Sequence, residues 1–294
     1  MPELPEVETV RRGLAPVMEG RRFTRVEQRR PDLRFPFPER FAARLEGRRL
    51  LRLDRRAKYL VGHVEGGEAL VMHLGMSGRF AVGQPDKAGG RLGQFTHNQG
   101  GAAAHDHVVF TMGGGATITY HDARRFGFML LIEAARLAEH KLFANIGIEP
   151  LGPELTPEFL AASAHGRRAD LKAFLMDQTV VCGLGNIYVC EALFRARLDP
   201  RKPAARLALR SGKPTDAARR QVPVIRAVLD EAIAAGGSTL RDFAQADGSL
   251  GYFQHRFQAY GREAEPCVTA GCGATIRRIV QANRSTYLCP RCQR

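Results

Sequence analysis

The sequence predicts an α+β fold in which an N-terminal β-sandwich or barrel with a leading helix precedes a helical C-terminal domain and a terminal β-hairpin. Three observations predict this class. Short apolar segments bounded by Gly, Asp or Pro run from about residue 21 to residue 133, which is typical of strands. Helical periodicity dominates after Pro150, and four of the six cysteines lie within the last 28 residues.

The first predicted element is a helix over residues 5–18. Val7, Val10 and Leu14 recur at the spacing of one helical face. Pro5 suits the first helical position, where the N–H that proline lacks has no partner anyway. Glu6 then lies in the first turn, where the helix dipole favours negative charge.

Strands are predicted before residue 133 and helices after residue 150. Three glycines at 113–115 predict a hairpin turn, and the Gly-, Gln- and Asn-rich stretch from 83 to 104 predicts a mobile surface loop. The strands are expected at 49–53, 59–64, 69–74, 107–111 and 117–120, and the helices at 157–164, 170–178, 187–196 and 217–235.

The charge balance favours a polyanionic partner. The 294 residues carry 44 Lys and Arg against 30 Asp and Glu, a net charge of +14. Such a surplus favours nucleic acid because each neutralised phosphate releases a condensed counterion, although GC-rich genomes also enrich proteins in Arg. No apolar run is long enough to span a bilayer, and the acidic N-terminus is unlike a secretory signal. We therefore expect a cytoplasmic protein.

The cysteine cluster predicts one structural zinc ion. Cys267 and Cys272 form a first pair, and Cys289 and Cys292 a second pair after sixteen residues. Four thiolates satisfy tetrahedral Zn²⁺ and leave no open position for catalysis. The metal would replace the core that so short a segment cannot build. The arginine-bearing hairpin at 276–284 has the dimensions to enter a DNA groove, and the other two cysteines are expected to be core thiols.

The N-terminus carries a potential nucleophile. A small residue after Met1 permits removal of the initiator, and Pro2 would then expose a secondary amine. An α-amino group has a pKa of roughly 7.7–8.0, so part of it is neutral near pH 7 and able to attack a carbon that bears a leaving group. Glu3 and Glu6 are placed to handle protons. The same residues would also occur at an ordinary processed N-terminus that precedes a capped helix and takes no part in catalysis.

Motifs along essentially the whole chain resemble those of the formamidopyrimidine-DNA glycosylase family, and they occur in the family's order. The resemblance implies a bifunctional DNA glycosylase and AP lyase of base excision repair, which removes oxidised purines from duplex DNA. The motifs are Pro2-Glu3-Leu4-Pro5-Glu6-Val7-Glu8-Thr9, Arg55-Arg56-Ala57-Lys58-Tyr59-Leu60, His73-Leu74-Gly75-Met76-Ser77-Gly78, His105-Asp106-His107, Asp122-Ala123-Arg124-Arg125-Phe126-Gly127, Leu175-Met176-Asp177-Gln178, Gly183-Leu184-Gly185-Asn186-Ile187-Tyr188 and Gly251-Tyr252-Phe253, followed by the zinc hairpin.

The resemblance implies four catalytic residues. Pro2 would attack C1′ of the damaged nucleotide, expel the base and cleave the strand by β- and δ-elimination through a Schiff base. Glu3 corresponds to the acid/base at the sugar, and Glu6 to a carboxylate that supports the nucleophile. Lys58 corresponds to the lysine that holds phosphate beside the lesion, whereas a lysine in a strand is otherwise usually solvated.

The resemblance also implies DNA-binding residues. One trio fills the space that the extruded nucleotide leaves, because Phe wedges between base pairs and Arg hydrogen-bonds the unpaired base. The segment 181–188 is similar to the turn of a helix–two-turns–helix motif, which is a natural phosphate site, and the loop 245–251 is similar to a lesion-capping loop. The DNA-binding residues implied are His73, Met76, Arg124, Phe126, Lys172, Asn186, Tyr252 and Arg284.

The resemblance divides the chain into three domains, and three alternatives remain. Residues 1–135 would form the catalytic β-sandwich, 150–258 the helix–two-turns–helix domain and 259–294 the zinc hairpin of a monomer. An endonuclease VIII-type enzyme, which acts on oxidised pyrimidines, shares the fold and nucleophile, but Leu4-Pro5 and the void-filling trio favour purines. A non-catalytic zinc DNA-binding protein would not need a free Pro2. An RNA-modifying or translation-associated zinc protein would prefer RNA and would not cut the strand.

Besides the loop 83–104, which is longer than the family leads us to expect, two features depart from the family's usual pattern. The first zinc pair has four intervening residues where two are commoner, so we expect a wider turn that still binds metal. Ala123 stands where proline is usual. Neither feature touches a residue to which a catalytic role is assigned.

Overall fold

The computed structural model describes residues 2–83, 103–238 and 251–294, which group into two compact units. The first unit comprises Met1–Ala144 and Ile233–Gln254, and the second Asn145–Ala232 and His255–Arg294. The predicted loops at 83–104 and 245–251 lie almost entirely outside the described residues. Within the described part of the chain, no helix is both long and apolar enough to cross a membrane.

The first unit contains two antiparallel sheets and a leading helix. Its helices are α1 (Leu4–Met18) and α2 (Phe41–Leu45), and its described strands are β1 (Phe23–Gln28), β2 (Leu50–Arg56), β3 (Tyr59–Val64), β4 (Glu68–His73), β5 (Arg79–Gly83), β6 (Asp106–Met112), β7 (Thr117–His121) and β8 (Phe128–Glu133). The strand orders are β1-β6-β7-β5 in one sheet and β2-β3-β4-β8 in the other.

The two sheets and α1 share one hydrophobic core. Val10 and Leu14 of α1 pack with Phe23 and Phe110 of one sheet and with Leu70 of the other, and all five side chains are fully buried. The helix joins this core because its apolar residues recur every three or four positions and so lie on one face. Of the two architectures that the sequence allowed, the structure is the sandwich.

Strand β4 is buried on both faces. Leu70 and Met72 belong to the central core, whereas Ala69 and Val71 pack with Phe143 in a second cluster on the opposite face of the sheet. Successive side chains of a strand point to opposite faces, so the interior positions of a strand covered on both sides, here residues 69–72, are all apolar. This explains why the segment is continuously apolar rather than alternating.

The second unit is mainly helical and ends in a hairpin. Asp170 caps one of its helices by accepting the Ala173 N–H at 2.7 Å, as expected for an N-cap carboxylate. The described elements are α3 (Pro157–Ala164), α4 (Leu171–Met176), α5 (Asn186–Arg195), α6 (Asp216–Ala234, which ends in the first unit), β9 (Arg277–Gln281) and β10 (Arg284–Leu288).

Every helix and strand that the sequence predicted is present, with ends displaced by at most three residues. The three sandwich strands that were not predicted, β1, β5 and β8, are all edge strands. An edge strand pairs on one side only. Its assignment therefore depends on the neighbouring strand more than on its own pattern.

Two adjacent leucines of β2 test the sandwich core. Leu50 is fully buried, whereas Leu51 is 55% exposed. Leu50→Ala should lower the free energy of unfolding by about 2–5 kcal/mol, because it leaves a cavity. Leu51→Ala should change it by about 0.5 kcal/mol or less. Urea denaturation of both variants measures the difference, and equal losses would place the core elsewhere.

Candidate active site and nucleic-acid interface

The N-terminal site is built around the Glu6 carboxylate. Pro2 is buried directly before α1, and Glu3 and Glu6 are 4% and 2% exposed. The Glu3 backbone N–H donates to Glu6 Oε2 at 2.8 Å. The other oxygen, Oε1, accepts from the backbone N–H of Ser238 at 2.8 Å and from its hydroxyl at 3.0 Å. The carboxylate therefore fixes the backbone next to Pro2.

Ser238 is a site residue that sequence reasoning missed. It lies 232 positions from Glu6 along the chain, within the segment Ile233–Gln254 that belongs to the first unit. A serine in a Gly-Gly-Ser stretch is typical of a turn, and nothing in the sequence indicates its partner. The contact exists only because the chain returns to the first unit at the end of α6.

Lys58 lies on the turn between β2 and β3, not within a strand, and is 9% exposed. The preceding Ala57 has a φ of 53°, which is the left-handed region. Arg55 holds this turn by donating to the Ala57 carbonyl at 2.9 Å, and its guanidinium lies 3.4 Å from Glu8 of α1. Lys58 is therefore not the solvated surface lysine that its sequence context alone would favour.

His73 ends β4 as a neutral imidazole. Its ring stacks on Phe128 with centroids 5.2 Å apart. Burial, together with the positive charges of Lys58 and Arg34, lowers the pKa of His73 from 6.5 to about 4. Nδ1 accepts the Gly75 N–H at 3.0 Å, so the ring proton resides on Nε2. His73 can donate one hydrogen bond to a phosphate without a positive charge.

Met76, Arg124 and Phe126 lie on two loops that contact each other. Residues 75–78 and 122–127 are called the paired loops below. Met76 is 37% and Phe126 44% exposed, and the Arg124 guanidinium lies 4.9 Å from the Phe126 ring centroid. The structure therefore brings the three predicted void-filling side chains to the surface on neighbouring loops.

In the second unit, a glutamine shapes the turn before α5. Gln178 Oε1 accepts the Gly183 N–H at 2.9 Å, and its amide donates to the Leu184 carbonyl at 2.9 Å. Gly183 has a φ of 84°, which favours glycine. Helix α5 then begins at Asn186, and a helix N-terminus attracts anions. Gln178 belongs to one of the sequence motifs, but nothing in the sequence indicates this role.

Lys172 is buried beneath the zinc hairpin. It is 2% exposed, and its ammonium donates to Thr286 Oγ1 at 2.5 Å and to the Ser285 carbonyl at 3.1 Å. Asn186 donates to the same carbonyl at 2.9 Å. The neighbouring Arg284 is exposed. Lys172 and Asn186 therefore fix the backbone that presents Arg284, and the burial of Lys172 is a feature that the resemblance did not indicate.

Tyr252 belongs to the first unit and is 61% exposed. Its backbone N–H donates to the Ala235 carbonyl at 3.0 Å, and it forms an isolated bridge with Ser238. Its backbone is thus fixed next to the residue that holds Glu6.

The four cysteines of the C-terminal hairpin fit a zinc ion. Their sulfur atoms all lie within 4.8 Å of one another, and tetrahedral Zn²⁺ with bonds of about 2.3 Å needs roughly 3.8 Å between sulfurs. The wider first turn is formed with Gly271 and Gly273, whose φ values are 70° and 66°. The site holds one structural zinc, as the sequence predicted.

A buried glutamate anchors the segment before the zinc hairpin. Glu191 of α5 has no exposed surface. Its carboxylate accepts the backbone N–H groups of Gln258, Ala259 and Tyr260 at 2.8–3.1 Å. A buried charge is tolerated when hydrogen bonds satisfy it. The sequence shows Glu191 only as one polar position on an apolar helix.

Comparison with known proteins identifies relatives over the whole chain. Residues 1–129 match the formamidopyrimidine-DNA glycosylase N-terminal domain, residues 146–244 the formamidopyrimidine-DNA glycosylase H2TH domain, and residues 264–294 the zinc finger found in FPG and IleRS. The chain is 62% identical over 294 residues to the formamidopyrimidine-DNA glycosylase of Beijerinckia indica, with 100% of both chains covered. The corresponding protein of a Methylobacterium species is 58% identical, with 100% of this chain and 99% of that protein covered.

Solved structures show the same similarity. The MutM (Fpg) protein of Thermus thermophilus aligns with a TM-score of 0.79 at 40% identity, over 99% of this chain and 98% of that chain. Fpg of Lactococcus lactis in a complex with an abasic site containing DNA aligns with a TM-score of 0.82 at 31% identity, over 99% of both chains. A variant of the latter protein in complex with a Fapy-dG containing DNA gives a TM-score of 0.82 at 31% identity, over 100% of both chains.

Loss of one zinc ligand should release the metal. Cys289→Ala should lower zinc affinity on the order of 100-fold, because four ligands together supply about 10–16 kcal/mol. Zinc per chain after dialysis against a weak chelator measures the effect. Cys182→Ala is the matched control, since Cys182 is also fully buried but lies outside the cluster. Equal zinc content in the two variants would contradict the assignment.

The lowered pKa of His73 should make stability depend on pH. In the unfolded chain the imidazole takes up its proton near pH 6.5, whereas in the folded protein it does so only near pH 4. The stability that His73 contributes is therefore lost progressively as the pH falls from 6.5 through 4.

An NMR titration should find His73 neutral down to about pH 5. The His73→Asn variant keeps an acceptor for the Gly75 N–H and should lose this part of the pH dependence. A titration midpoint near 6.5 for His73 would disprove the burial.

Proposed function

This chain belongs to the formamidopyrimidine-DNA glycosylase family, and we propose that the nitrogen of Pro2 is the nucleophile with which it acts on damaged DNA. The protein is a DNA glycosylase and AP lyase that removes oxidised purines from double-stranded DNA in base excision repair. The observation that carries the proposal for Pro2 is the fixed backbone around it, where Glu6 bonds both to Glu3 and to Ser238.

The proposed reaction begins after removal of Met1. The lone pair of the Pro2 nitrogen attacks C1′ of the deoxyribose, and the electron pair of the C1′–N bond leaves with the base, which takes up a proton. The Pro2 nitrogen then loses its proton, and opening of the sugar ring moves the C1′–O4′ pair to O4′, which takes up a proton. This step leaves an iminium between Pro2 and C1′. Loss of a C2′ proton then expels the 3′ phosphate, and δ-elimination expels the 5′ phosphate. Water finally releases the sugar fragment from Pro2.

The two buried carboxylates take different parts in this scheme. We assign proton transfer at the sugar to Glu3, which lies next to Pro2. Glu6 accepts hydrogen bonds on both oxygens, so we assign it the positioning of the backbone and the electrostatic stabilisation of the iminium. A buried negative charge stabilises a nearby cation more strongly than one in water does.

The phosphate contacts are assigned to each unit separately. In the first unit, Lys58 supplies a buried positive charge and His73 a neutral N–H donor. In the second unit, the start of α5 at Asn186 and the exposed Arg284 bind phosphate, and Lys172 acts through the hairpin that it supports. Tyr252 contributes its exposed hydroxyl to phosphate binding.

The void-filling role is assigned to the paired loops. An extruded nucleotide leaves a gap, and its extrusion costs a few kcal/mol. Phe126 is suited to wedge between base pairs, Met76 to fill irregular space and Arg124 to bond the orphaned base. Their exposure on adjoining loops supports this assignment.

We further propose that the protein acts as a monomer in the cytoplasm, on the DNA of the nucleoid. A reducing compartment keeps the zinc cysteines as thiols. We also propose three domains with the bounds 1–135, 150–258 and 259–294, although the segment Ile233–Gln254 within the second of these groups with the first unit. No observation favours the endonuclease VIII-type alternative.

Borohydride reduction tests the nucleophile. Incubation with a duplex that contains 8-oxoguanine opposite cytosine should trap a covalent protein–DNA adduct, because borohydride reduces the iminium to a stable amine. Pro2→Gly should reduce the adduct by at least tenfold, since the secondary amine is lost. Glu46→Gln is the control, because Glu46 bonds to Val26 and is assigned no catalytic role.

Two outcomes would contradict the proposal. An adduct that is unaffected by Pro2→Gly would exclude Pro2, and an intact mass that includes Met1 in the active protein would exclude a free Pro2 amine.

Parallel excision assays on thymine glycol test the substrate class, and release of thymine glycol alone would place the protein among enzymes for oxidised pyrimidines.

A further inference from the structure

One buried carboxylate connects the paired loops. Asp122 has no exposed surface. Its Oδ1 accepts from the Ser77 hydroxyl at 2.6 Å, and its Oδ2 accepts from the Gly127 N–H at 2.8 Å. Ser77 lies on the first of the paired loops and Gly127 on the second, so a single side chain bonds to both.

The Ser77 hydroxyl completes the connection. While it donates to Asp122, its oxygen accepts the backbone N–H of Arg124 at 3.1 Å. The loops also touch directly at Gly75, which has a φ of 63°. A Cβ atom at this position would collide with the backbone of Phe126 and Gly127. Each loop is thus fixed against the other at the residues that flank the exposed side chains.

Asp122 is itself rigidly held. Its backbone N–H donates to the His105 carbonyl at 3.0 Å, and its own carbonyl accepts from His107 Nε2 at 2.8 Å. Tyr120 donates a third hydrogen bond to the carboxylate at 3.2 Å. Burial and the charge of Asp122 raise the pKa of Tyr120 well above 10, so this hydroxyl stays protonated and remains a donor.

The network needs a carboxylate rather than an amide. Three donors converge on the two oxygens of Asp122, and an ionised carboxylate offers only acceptors. An asparagine would turn an NH₂ group towards either the Ser77 hydroxyl or the Gly127 N–H, and that donor would then lose its acceptor. A serine in a Gly-rich turn and an aspartate before an arginine pair are ordinary surface residues in sequence, and only the structure brings them together.

We propose that Asp122 is a positioning residue that holds the paired loops as one rigid wedge for the gap in the duplex. The proposal rests on the void-filling role assigned above. Exposed side chains on separate loops would enter the duplex independently and lose conformational freedom on binding. Loops that are already fixed to each other present the wedge in its working geometry, and such preorganisation strengthens binding.

The test is a double-mutant cycle on excision of 8-oxoguanine opposite cytosine under single-turnover conditions. Asp122→Asn and Ser77→Ala are each introduced into the wild-type protein and into a variant whose exposed wedge side chains are truncated. That variant is Met76→Ala/Arg124→Ala/Phe126→Ala. Glu46→Gln is the control, because it perturbs a carboxylate–backbone hydrogen bond of the first unit away from the paired loops.

We expect Asp122→Asn and Ser77→Ala to slow excision by about 10- to 100-fold in the wild-type protein, as a misplacement near 1 Å does. In the truncated background they should add less than about twofold, since no wedge remains to be positioned. Their effect on the thermal midpoint should be the same in both backgrounds. Glu46→Gln should leave excision unchanged in both.

A second readout does not depend on catalysis. In this experiment the proteins bind a duplex that carries 2-aminopurine opposite an uncleavable abasic analogue. The fluorescence of 2-aminopurine in the Asp122→Asn and Ser77→Ala complexes should differ from that in the wild-type complex in the same way as in the complex of the truncated variant. Equal losses of excision in both backgrounds, or unchanged fluorescence, would overturn the proposal. An inactive wild-type protein would instead refute the proposed function, and Ser77→Ala decides the question if Asp122→Asn does not fold.

Discussion

Both oxygens of the Glu6 carboxylate accept hydrogen bonds at a place where the backbone would otherwise leave amides unpaired. The first turn of any helix has N–H groups without intrahelical partners, and here Glu6 satisfies the one on Glu3 while it also holds Ser238. The N-terminal residues of most chains are poorly ordered. This carboxylate instead fixes the backbone next to Pro2 and keeps a negative charge beside a group that becomes cationic during the proposed reaction.

A buried charge also affects its neighbour elsewhere in the site. Lys58 carries its positive charge in a nearly buried turn, and this charge helps to lower the pKa of the neighbouring His73 to about 4. The two residues therefore offer an anion different interactions, a cation from Lys58 and a neutral N–H donor from His73. If His73 were protonated, its positive charge would be repelled by that of Lys58 as long as no phosphate is bound.

In the second unit, buried charged residues support exposed ones. Lys172 and Glu191 have almost no exposed surface, yet the donors or acceptors of each are used by backbone and side-chain groups. Removing one partner from such a buried set is strongly destabilising. The zinc ion, Lys172 and Glu191 add to the small apolar cluster of Phe194, Ala259 and Ile276 at the hairpin, and the hairpin presents Arg284 at the surface. Asp122 has a comparable place in the first unit, where it holds the two loops that carry Met76 and Phe126.

The sequence by itself determined every α-helix except α2, the sandwich strands β2–β4, β6 and β7, the zinc cysteines and the family, because each depends on residues close together in the chain. Hydrophobic periodicity, cysteine spacing and short motifs are local properties. The tertiary structure alone decided that Glu6 bonds to Ser238, that Ser77 bonds to Asp122, and that Lys172 lies beneath the hairpin. Each of these contacts joins distant segments, and its energy arises from burial that only the folded chain provides. The residues that flank a polar side chain in the sequence can be the same whether that side chain lies at the surface or at the centre of a buried hydrogen-bond network.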